Sequence, residues 1–293
     1  MTTVLSNNAT TPVLEVQALR KVYGDGKRSN VAIADVSFKV EQGQIVCIVG
    51  PSGCGKTTLL KCLSGLSRPT SGRSLLDGVP ITAPPRDLAF VFQDYSRSLF
   101  PWMTVEQNVR LPLLDKGIRR SEIDRRASRA IESVNLSAHA LKKPHQLSGG
   151  MQQRVAIARA LAYEPEVMLM DEPFASVDAQ TRAELEDLVL ALRDEYKMTV
   201  LFITHDIDEA VYVADRVVVL NPSPTTVREV VEIDLPAPRD QIATKELASF
   251  VHLRSHVYGL VRNRWGEDDA DGAEPRQLSR PATAGELVEA RDE

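Results

Sequence analysis

The segment Gly50–Thr58 constrains this chain most, because it runs Gly-Pro-Ser-Gly-Cys-Gly-Lys-Thr-Thr and fits the spacing G-x-x-x-x-G-K-[ST]. It follows an apolar run, Ile45–Val49, that is typical of a buried strand, and Thr57–Ser64 begins a helical pattern. Glycines let the backbone curl there, so that successive N–H groups point inward at phosphate oxygens. The strand–loop–helix context therefore predicts a nucleotide-binding loop, against the alternative of a chance glycine-rich turn.

Two side chains of this loop have predicted roles. Lys56 is expected to reach the β- and γ-phosphates of ATP, and the Thr57 hydroxyl to ligate Mg²⁺. Cys54 contributes a small side chain, and its place at a helix N-terminus favours a depressed thiol pKa, so we expect its alkylation to block nucleotide binding. The other residues predicted to line the nucleotide are Gly50, Pro51, Ser52, Gly53, Gly55 and Thr58.

Two carboxylates, Asp171 and Glu172, end the apolar run Val167–Met170. At the edge of a buried strand, Asp171 is placed to hold Mg²⁺ through water. Glu172 then lies beside the γ-phosphate, where it polarises or deprotonates the attacking water. The alternative is a strand that ends at a solvated acidic turn.

Two further polar residues follow apolar runs in the same way. His205, after Val200–Thr204, is predicted to contact the γ-phosphate and to orient Glu172 and the water. Gln93, after Leu88–Phe92, is predicted to offer its amide to Mg²⁺ and the water. The order of these residues along the chain, behind the phosphate loop, favours the catalytic interpretation of each.

The distribution of strands and helices predicts an α/β fold, a P-loop NTPase core with a largely parallel sheet. The first two strands, Leu14–Val22 and Val36–Val40, are predicted to form an antiparallel β edge. A block of helical patterns interrupts the α/β alternation and predicts an inserted α-helical subdomain. The predicted divisions are a flexible leader (1–12), an ATPase domain (13–235) with its helical subdomain at about 94–162, a C-terminal helical extension (236–265) and a disordered acidic tail (266–293).

Charge and hydropathy restrict the partners of the chain. The formal net charge of -5 gives no reason to expect a nucleic acid. The three cysteines have no disulfide-framework spacing, which favours a reducing compartment. No apolar run approaches the roughly 20 residues that span a bilayer, so a role in transport requires another subunit to form the membrane path.

The segment Leu147–Leu161, Leu-Ser-Gly-Gly-Met-Gln-Gln-Arg-Val-Ala-Ile-Ala-Arg-Ala-Leu, resembles the signature motif of ABC ATPases. The resemblance covers residues 14 to 233. Ser148 and the N–H groups of Gly149 and Gly150 form a second helix-start anion site. In the family this site completes the γ-phosphate pocket of the opposite subunit, which implies a head-to-tail dimer with a second ATPase subunit.

Other positions match the family or depart from it. Tyr23 lies where the family has an aromatic residue that stacks on adenine, although an edge-strand tyrosine is the alternative. Ser176–Asp178 resembles the loop that crosses the dimer interface. Met151 replaces the usual Gln, a change expected to be mild because the backbone and Ser148 carry the contact. Val177 replaces the usual Leu, which is expected to alter interface packing and little else.

Residues 93–109, with the run Leu99–Trp102, resemble importers for nitrate, sulfonates and taurine. In that group the Pro-Trp segment faces the permease, whereas packing inside the helical subdomain is the alternative. Before the predicted strand Leu88–Phe92, this chain has Thr82–Arg86 where the importer group usually has Gly-Pro-Gly.

The resemblance implies an ATPase on the cytoplasmic face of the membrane that powers solute import. Its partners would be transmembrane permease subunits and, indirectly, an external solute-binding protein. A soluble ABC ATPase in cluster assembly and an exporter subunit remain alternatives.

Overall fold

The computed structural model describes residues 12–24, 29–94 and 98–262. The predicted acidic tail and all but the last residue of the predicted leader lie outside these ranges. Among the described residues, no helix is long and apolar enough to cross a membrane.

Ten strands form one sheet within the described part of the chain, in the order β5-β4-β1-β2-β10-β9-β3-β8-β7-β6. Their bounds are β1 Pro12–Tyr23, β2 Asn30–Glu41, β3 Ile45–Val49, β4 Ser71–Leu76, β5 Val79–Pro80, β6 Leu88–Val91, β7 Val167–Asp171, β8 Thr199–Ile203, β9 Arg216–Leu220 and β10 Thr225–Glu232.

The sheet has a parallel and an antiparallel part. Strands β9, β3, β8, β7 and β6 are parallel neighbours, whereas β5, β4, β1 and β2 pair antiparallel. Strand β10 joins the two parts, since it is antiparallel to β9 and parallel to β2. The predicted fold class, a largely parallel α/β sheet with an antiparallel portion, is confirmed.

The parallel strands are continuously apolar because both faces of the sheet are covered. In β3, Ile45, Cys47 and Val49 belong to one hydrophobic cluster, whereas Val46 and Ile48 belong to the other. Successive side chains of a strand point to opposite faces, so this alternation places one cluster on each side of the sheet.

The helices are capped by side chains at several starts. Thr104 and Gln107 form a capping box, and Asp178 and Asp206 each accept a backbone N–H three residues later. The bounds are α1 Lys56–Leu63, α2 Val105–Arg110, α3 Arg120–Ser133, α4 Gly149–Ala162, α5 Ala179–Tyr196, α6 Ile207–Val213, α7 Ala243–Glu246 and α8 Ala248–Arg262.

Helices α2, α3 and α4 contact one another and follow β6 in the chain, before β7. Their buried residues belong to the same hydrophobic cluster as one face of the sheet, so this helical block shares its core with the sheet. Helix α4 starts at Gly149, because the Ser148 hydroxyl accepts a hydrogen bond from the Met151 N–H at 3.3 Å and caps it.

The segment after β10 folds back onto the sheet. Helix α8 buries Phe250 and Val257 completely and packs against α6 and β9. Arg239 donates hydrogen bonds to the carbonyls of Tyr212 and Ala214 at 2.6 and 2.8 Å. The C-terminal segment is thereby held against the end of α6.

Candidate functional site

The predicted site residues follow four neighbouring parallel strands. The sheet order β3-β8-β7-β6 places the phosphate loop, His205, Asp171 with Glu172, and Gln93 side by side at the carboxyl edge. Ligands of open α/β sheets bind at this edge. Strand order therefore assembles residues that lie far apart in the sequence.

The phosphate loop turns sharply into α1. Gly55 has φ 101° at the N-cap of this helix, a left-handed conformation in which only glycine is unstrained. A Cβ there would lie 3.2 Å from the carbonyl oxygen of Ala32 on β2. The Lys56 ammonium donates to the carbonyls of Gly50 and Pro51 at 2.7 and 3.0 Å, and it is 8% exposed. The Lys56 ammonium is thus held against the backbone of its own phosphate loop.

Oxygen donors for a divalent cation lie beside the loop. The Thr57 hydroxyl donates to Oδ1 of Asp171 at 3.4 Å. Asp171 is buried, and the loss of hydration raises the pKa of its carboxyl. Hydroxyl, carboxylate and amide oxygens are ligands that suit Mg²⁺, which also takes phosphate oxygens and water. Thr57, Asp171 and Gln93 therefore fit this ion.

Glu172 is fixed by two neighbours on one oxygen. Its Oε2 accepts from the Gln93 amide nitrogen at 3.0 Å and lies 3.3 Å from Nδ1 of His205. Its backbone N–H donates to the Ile203 carbonyl at 3.0 Å, and its φ is 44°. Both contacts use Oε2, and Oε1 has no hydrogen-bond partner among the described residues.

The second predicted anion site lies at the start of α4. Gly150 approaches α5 so closely that a Cβ would lie 2.2 Å from Cγ2 of Thr181. Within the described ranges, no hydrogen bond joins Ser148, Gly149 or Gly150 to the phosphate loop. The two segments predicted to bind phosphate are therefore not joined by hydrogen bonds within the described part of one chain.

Residues 33–175 match the family described as ABC transporter. The nitrate import ATP-binding protein NrtD of Synechococcus elongatus is 42% identical over 279 residues, which are 92% of this chain and 100% of that protein. The chain belongs to the ABC transporter family. The resemblance drawn from the signature segment is confirmed, and the chain is an ABC-type ATPase.

Further relatives and a solved structure agree with this ABC ATPase assignment. The bicarbonate transport protein CmpD of Synechocystis is 39% identical, covering 90% of this chain and 94% of its own. The aliphatic sulfonates import protein SsuB of Bacillus licheniformis is 42% identical, covering 78% and 88%. A dimeric post-hydrolysis ATP-binding cassette with ADP and Pi has a TM-score of 0.66 and 33% identity, over 75% of this chain and 98% of that one.

Two other residues predicted to line the nucleotide differ in exposure. Tyr23 of this ABC ATPase ends β1 and is 44% exposed, with Nζ of Lys21 5.0 Å from its ring centre. Cys54 is 1% exposed, and burial raises the pKa of its thiol despite the nearby Lys56 charge. The expectation of a depressed thiol pKa is therefore wrong, because lost hydration outweighs the favourable charges.

A groove lined by apolar side chains together with Glu106, Arg110 and Arg120 runs along the helical block of the ABC ATPase. It has a volume of about 630 Å³, and Trp102, Leu114 and Leu141 line it. These side chains are 65%, 57% and 79% exposed. Trp102 also meets the Phe100 ring edge-on, at 5.4 Å between centres. The indole therefore stands at the surface, contrary to the alternative that it packs inside the block.

Sequence reasoning missed three polar residues that lie behind Glu172 and His205. Arg182, Thr204 and Glu209 line one small cavity with Glu172 and His205. The spacing of Asp206 and Glu209 at the start of α6 fits a cap followed by an acidic third residue, which signals a helix start. That spacing carries no sign that the second carboxyl is buried.

Proposed function

We propose that this chain binds ATP with its phosphate loop and hydrolyses it to power the import of a small oxoanion through a permease. The observation that carries the hydrolytic role is the contact of Gln93 and His205 with Oε2 of Glu172. Nitrate, bicarbonate and aliphatic sulfonates appear in the names of its relatives, and all are small anions. Their shared chemistry supports the substrate class.

In this proposal the loop N–H groups and Lys56 bind the β- and γ-phosphates. Oxygens of Thr57, Asp171 and Gln93 would hold Mg²⁺, which would supply positive charge against the phosphates. Glu172 accepts a proton from the water that attacks the γ-phosphorus, and the bond from that phosphorus to the ADP oxygen breaks. His205 keeps Glu172 in place.

The second half of the γ-phosphate pocket comes from another subunit. Ser148 and the N–H groups of Gly149 and Gly150 would approach the ATP held by the partner. The dimeric cassette with ADP and Pi, similar in fold, supports such an arrangement. Two copies of this chain would then close around two nucleotides.

The groove supports a permease as partner. Exposed Trp102 with apolar Leu114 and Leu141 beside it suits a protein segment that brings an apolar anchor. A chain that docks in this way lies peripherally on the cytoplasmic face of the membrane. The solute-binding protein acts on the permease from the other side, so its contact with this chain is indirect.

Hydrolysis and dimerisation test the proposal separately. With Mg²⁺ and ATP, alone or with the permease, the wild-type chain should release phosphate, and Glu172→Gln should lower the rate at least about 10²- to 10³-fold. In size-exclusion experiments, Glu172→Gln should form an ATP-dependent dimer, and adding Ser148→Arg should abolish it. Absence of hydrolysis in the wild type would overturn the ATPase role, and monomers for both variants would contradict the homodimer.

A further inference from the structure

Glu209 on the first turn of α6 is a buried carboxyl that the hydrolytic scheme does not use. Its side chain is 5% exposed, and its Oε2 accepts from the Thr204 hydroxyl at 2.5 Å. That hydroxyl also accepts from the Asp206 N–H at 3.0 Å. Glu209 therefore holds both residues that flank His205.

A small cavity separates Glu209 from the catalytic pair. Glu172, His205, Arg182 and Glu209 all line it, and its free volume of about 10 Å³ has room for the centre of about one water molecule. Oε1 of Glu209 and Nε of Arg182 are both buried, with no hydrogen-bond partner among the described residues. Nε of Arg182 is a donor, whereas Oε1 accepts when the carboxyl is ionised and donates when it carries the proton. A single water can pair with both atoms in either state, because water both donates and accepts.

Burial favours the neutral form of this carboxyl. The lost hydration raises the pKa of Glu209 to about 8; the Thr204 hydrogen bond and the Arg182 charge oppose the rise, whereas Glu186 and Asp206 add to it. A neutral carboxyl avoids the cost of an unpaired charge in the protein interior.

We propose that Glu209 is a positioning residue for hydrolysis, holding the Thr204–Asp206 turn directly and the Glu172–His205 pair through one bound water shared with Arg182. The inference rests on the proposed ATPase role. Glu209 does not touch the nucleotide; it acts by keeping His205 where it can contact Glu172.

Glu209→Ala in the full chain tests this inference, with Glu186→Ala as its matched control. Glu186 is also buried, at 2% exposure, but it faces Gln241 and Lys245 of the C-terminal segment. For Glu209→Ala we expect kcat for ATP to fall about 10- to 100-fold, as for other residues that orient a site from behind, with KM within about twofold. Glu209→Gln, which keeps the shape and the bond to Thr204, should restore kcat to within about threefold.

The outcomes separate this inference from the ATPase role. Failure of the wild type to hydrolyse ATP overturns both, whereas an active wild type with equal kcat in Glu209→Ala and Glu186→Ala overturns this inference alone. If Glu209→Ala does not fold, Thr204→Val removes the same hydrogen bond, and an unchanged kcat there overturns the inference. A high-resolution crystal structure should show one water between Oε1 of Glu209 and Nε of Arg182, and its absence contradicts the bridge.

Discussion

Nη1 of Arg182 lies 3.0 Å from Oδ2 of Asp206, which joins the first turn of α5 to the residue that follows His205. The other oxygen of Asp206 accepts the Glu209 N–H at 3.2 Å and caps α6. One carboxylate therefore fixes the start of a helix and connects it to the helix that follows Ser176–Asp178.

The two functions of Asp206 can be separated by substitution. Asp206→Asn keeps an oxygen for the cap and loses the charge. This change should lower the free energy of unfolding by about 0–1 kcal/mol, because the ion pair is partly exposed. Asp206→Ala loses both and should cost about 1 kcal/mol more. Urea unfolding of the two variants measures the difference. Equal costs would show that the cap contributes nothing.

Gly150 leaves no room for a side chain beside α5. In Gly150→Ala the new methyl must displace Thr181, whose hydroxyl is held by Oδ2 of Asp178 at 2.7 Å. We expect unfolding to become easier by about 1–3 kcal/mol. Adding Thr181→Ser, which removes the clashing methyl and keeps the hydroxyl, should recover most of the loss.

The control for Gly150→Ala is Gly259→Ala in α8, where a Cβ meets nothing within 4 Å. This change should raise the free energy of unfolding by about 1 kcal/mol, because alanine favours the helix. Similar changes in the free energy of unfolding for Gly150→Ala and Gly259→Ala would contradict the steric argument.

Glu209 makes the stability of the chain depend on pH. Its pKa is about 8 in the folded chain, against an ordinary value of 4.5. Between these pH values the folded state binds a proton that the unfolded state has released, so the free energy of unfolding falls as pH rises, by up to about 1.4 kcal/mol per unit. Glu209→Gln lacks this pH-dependent contribution. The free energy of unfolding of the variant, measured relative to wild type, should therefore increase as pH rises across that range.

Urea unfolding at about pH 5 and about pH 7.5 measures this growth. Asp240→Asn is the control, because the N–H groups of Ala243 and Ile242 lower the pKa of that carboxyl and leave it ionised throughout. Parallel pH profiles for wild type and Glu209→Gln would show that Glu209 is already ionised in the folded chain.

The cysteines should resist modification in the folded chain. Cys47, Cys54 and Cys62 are all buried free thiols, and burial raises the pKa of each. The thiolate is the reactive form, so a disulfide reagent at neutral pH should react slowly with the native chain. In denaturant the same reagent should react readily with all three thiols. Fast native labelling that Cys54→Ala abolishes would favour the depressed pKa instead.

Trp102 should contribute strongly to permease binding. Central aromatic residues of an interface often cost about 2 kcal/mol or more when truncated, or roughly 30-fold in Kd. We expect Trp102→Ala to reduce co-purification with the cognate permease. Tyr258→Ala is the matched control, because Tyr258 is 52% exposed on α8 and does not line the groove. Equal retention of both variants would contradict docking at this groove.

The sequence predicted the parallel strands and the phosphate loop because each depends on local pattern. Ile45–Val49 is apolar at every position, and the loop has fixed spacing. Strands β4 and β5 were not predicted, since Ser71, Gly72 and Arg73 are polar or small and exposed. Their place depends on a close contact across strands, where a Cβ on Gly72 would lie 2.0 Å from the Ala18 carbonyl oxygen.

The predicted site residues follow the same division. Residue types and their order along the chain were enough to predict that Gln93, Glu172 and His205 belong to one site. The order of the strands in the sheet brings the three side chains together. The other properties of the site depend on burial. Neither the pKa of Cys54 nor the role of Glu209 can be inferred from the sequence without knowing how much water reaches each group. Local patterns give no measure of that.

Glu172 occupies the left-handed region, with φ 44°. For a residue with a Cβ this conformation costs roughly 1–2 kcal/mol, whereas glycine adopts it freely. Selection for folding alone would therefore replace Glu172 with glycine, and the chain would become more stable as it lost the carboxylate proposed to accept the proton. Stability screens of this chain would reward such loss-of-function variants.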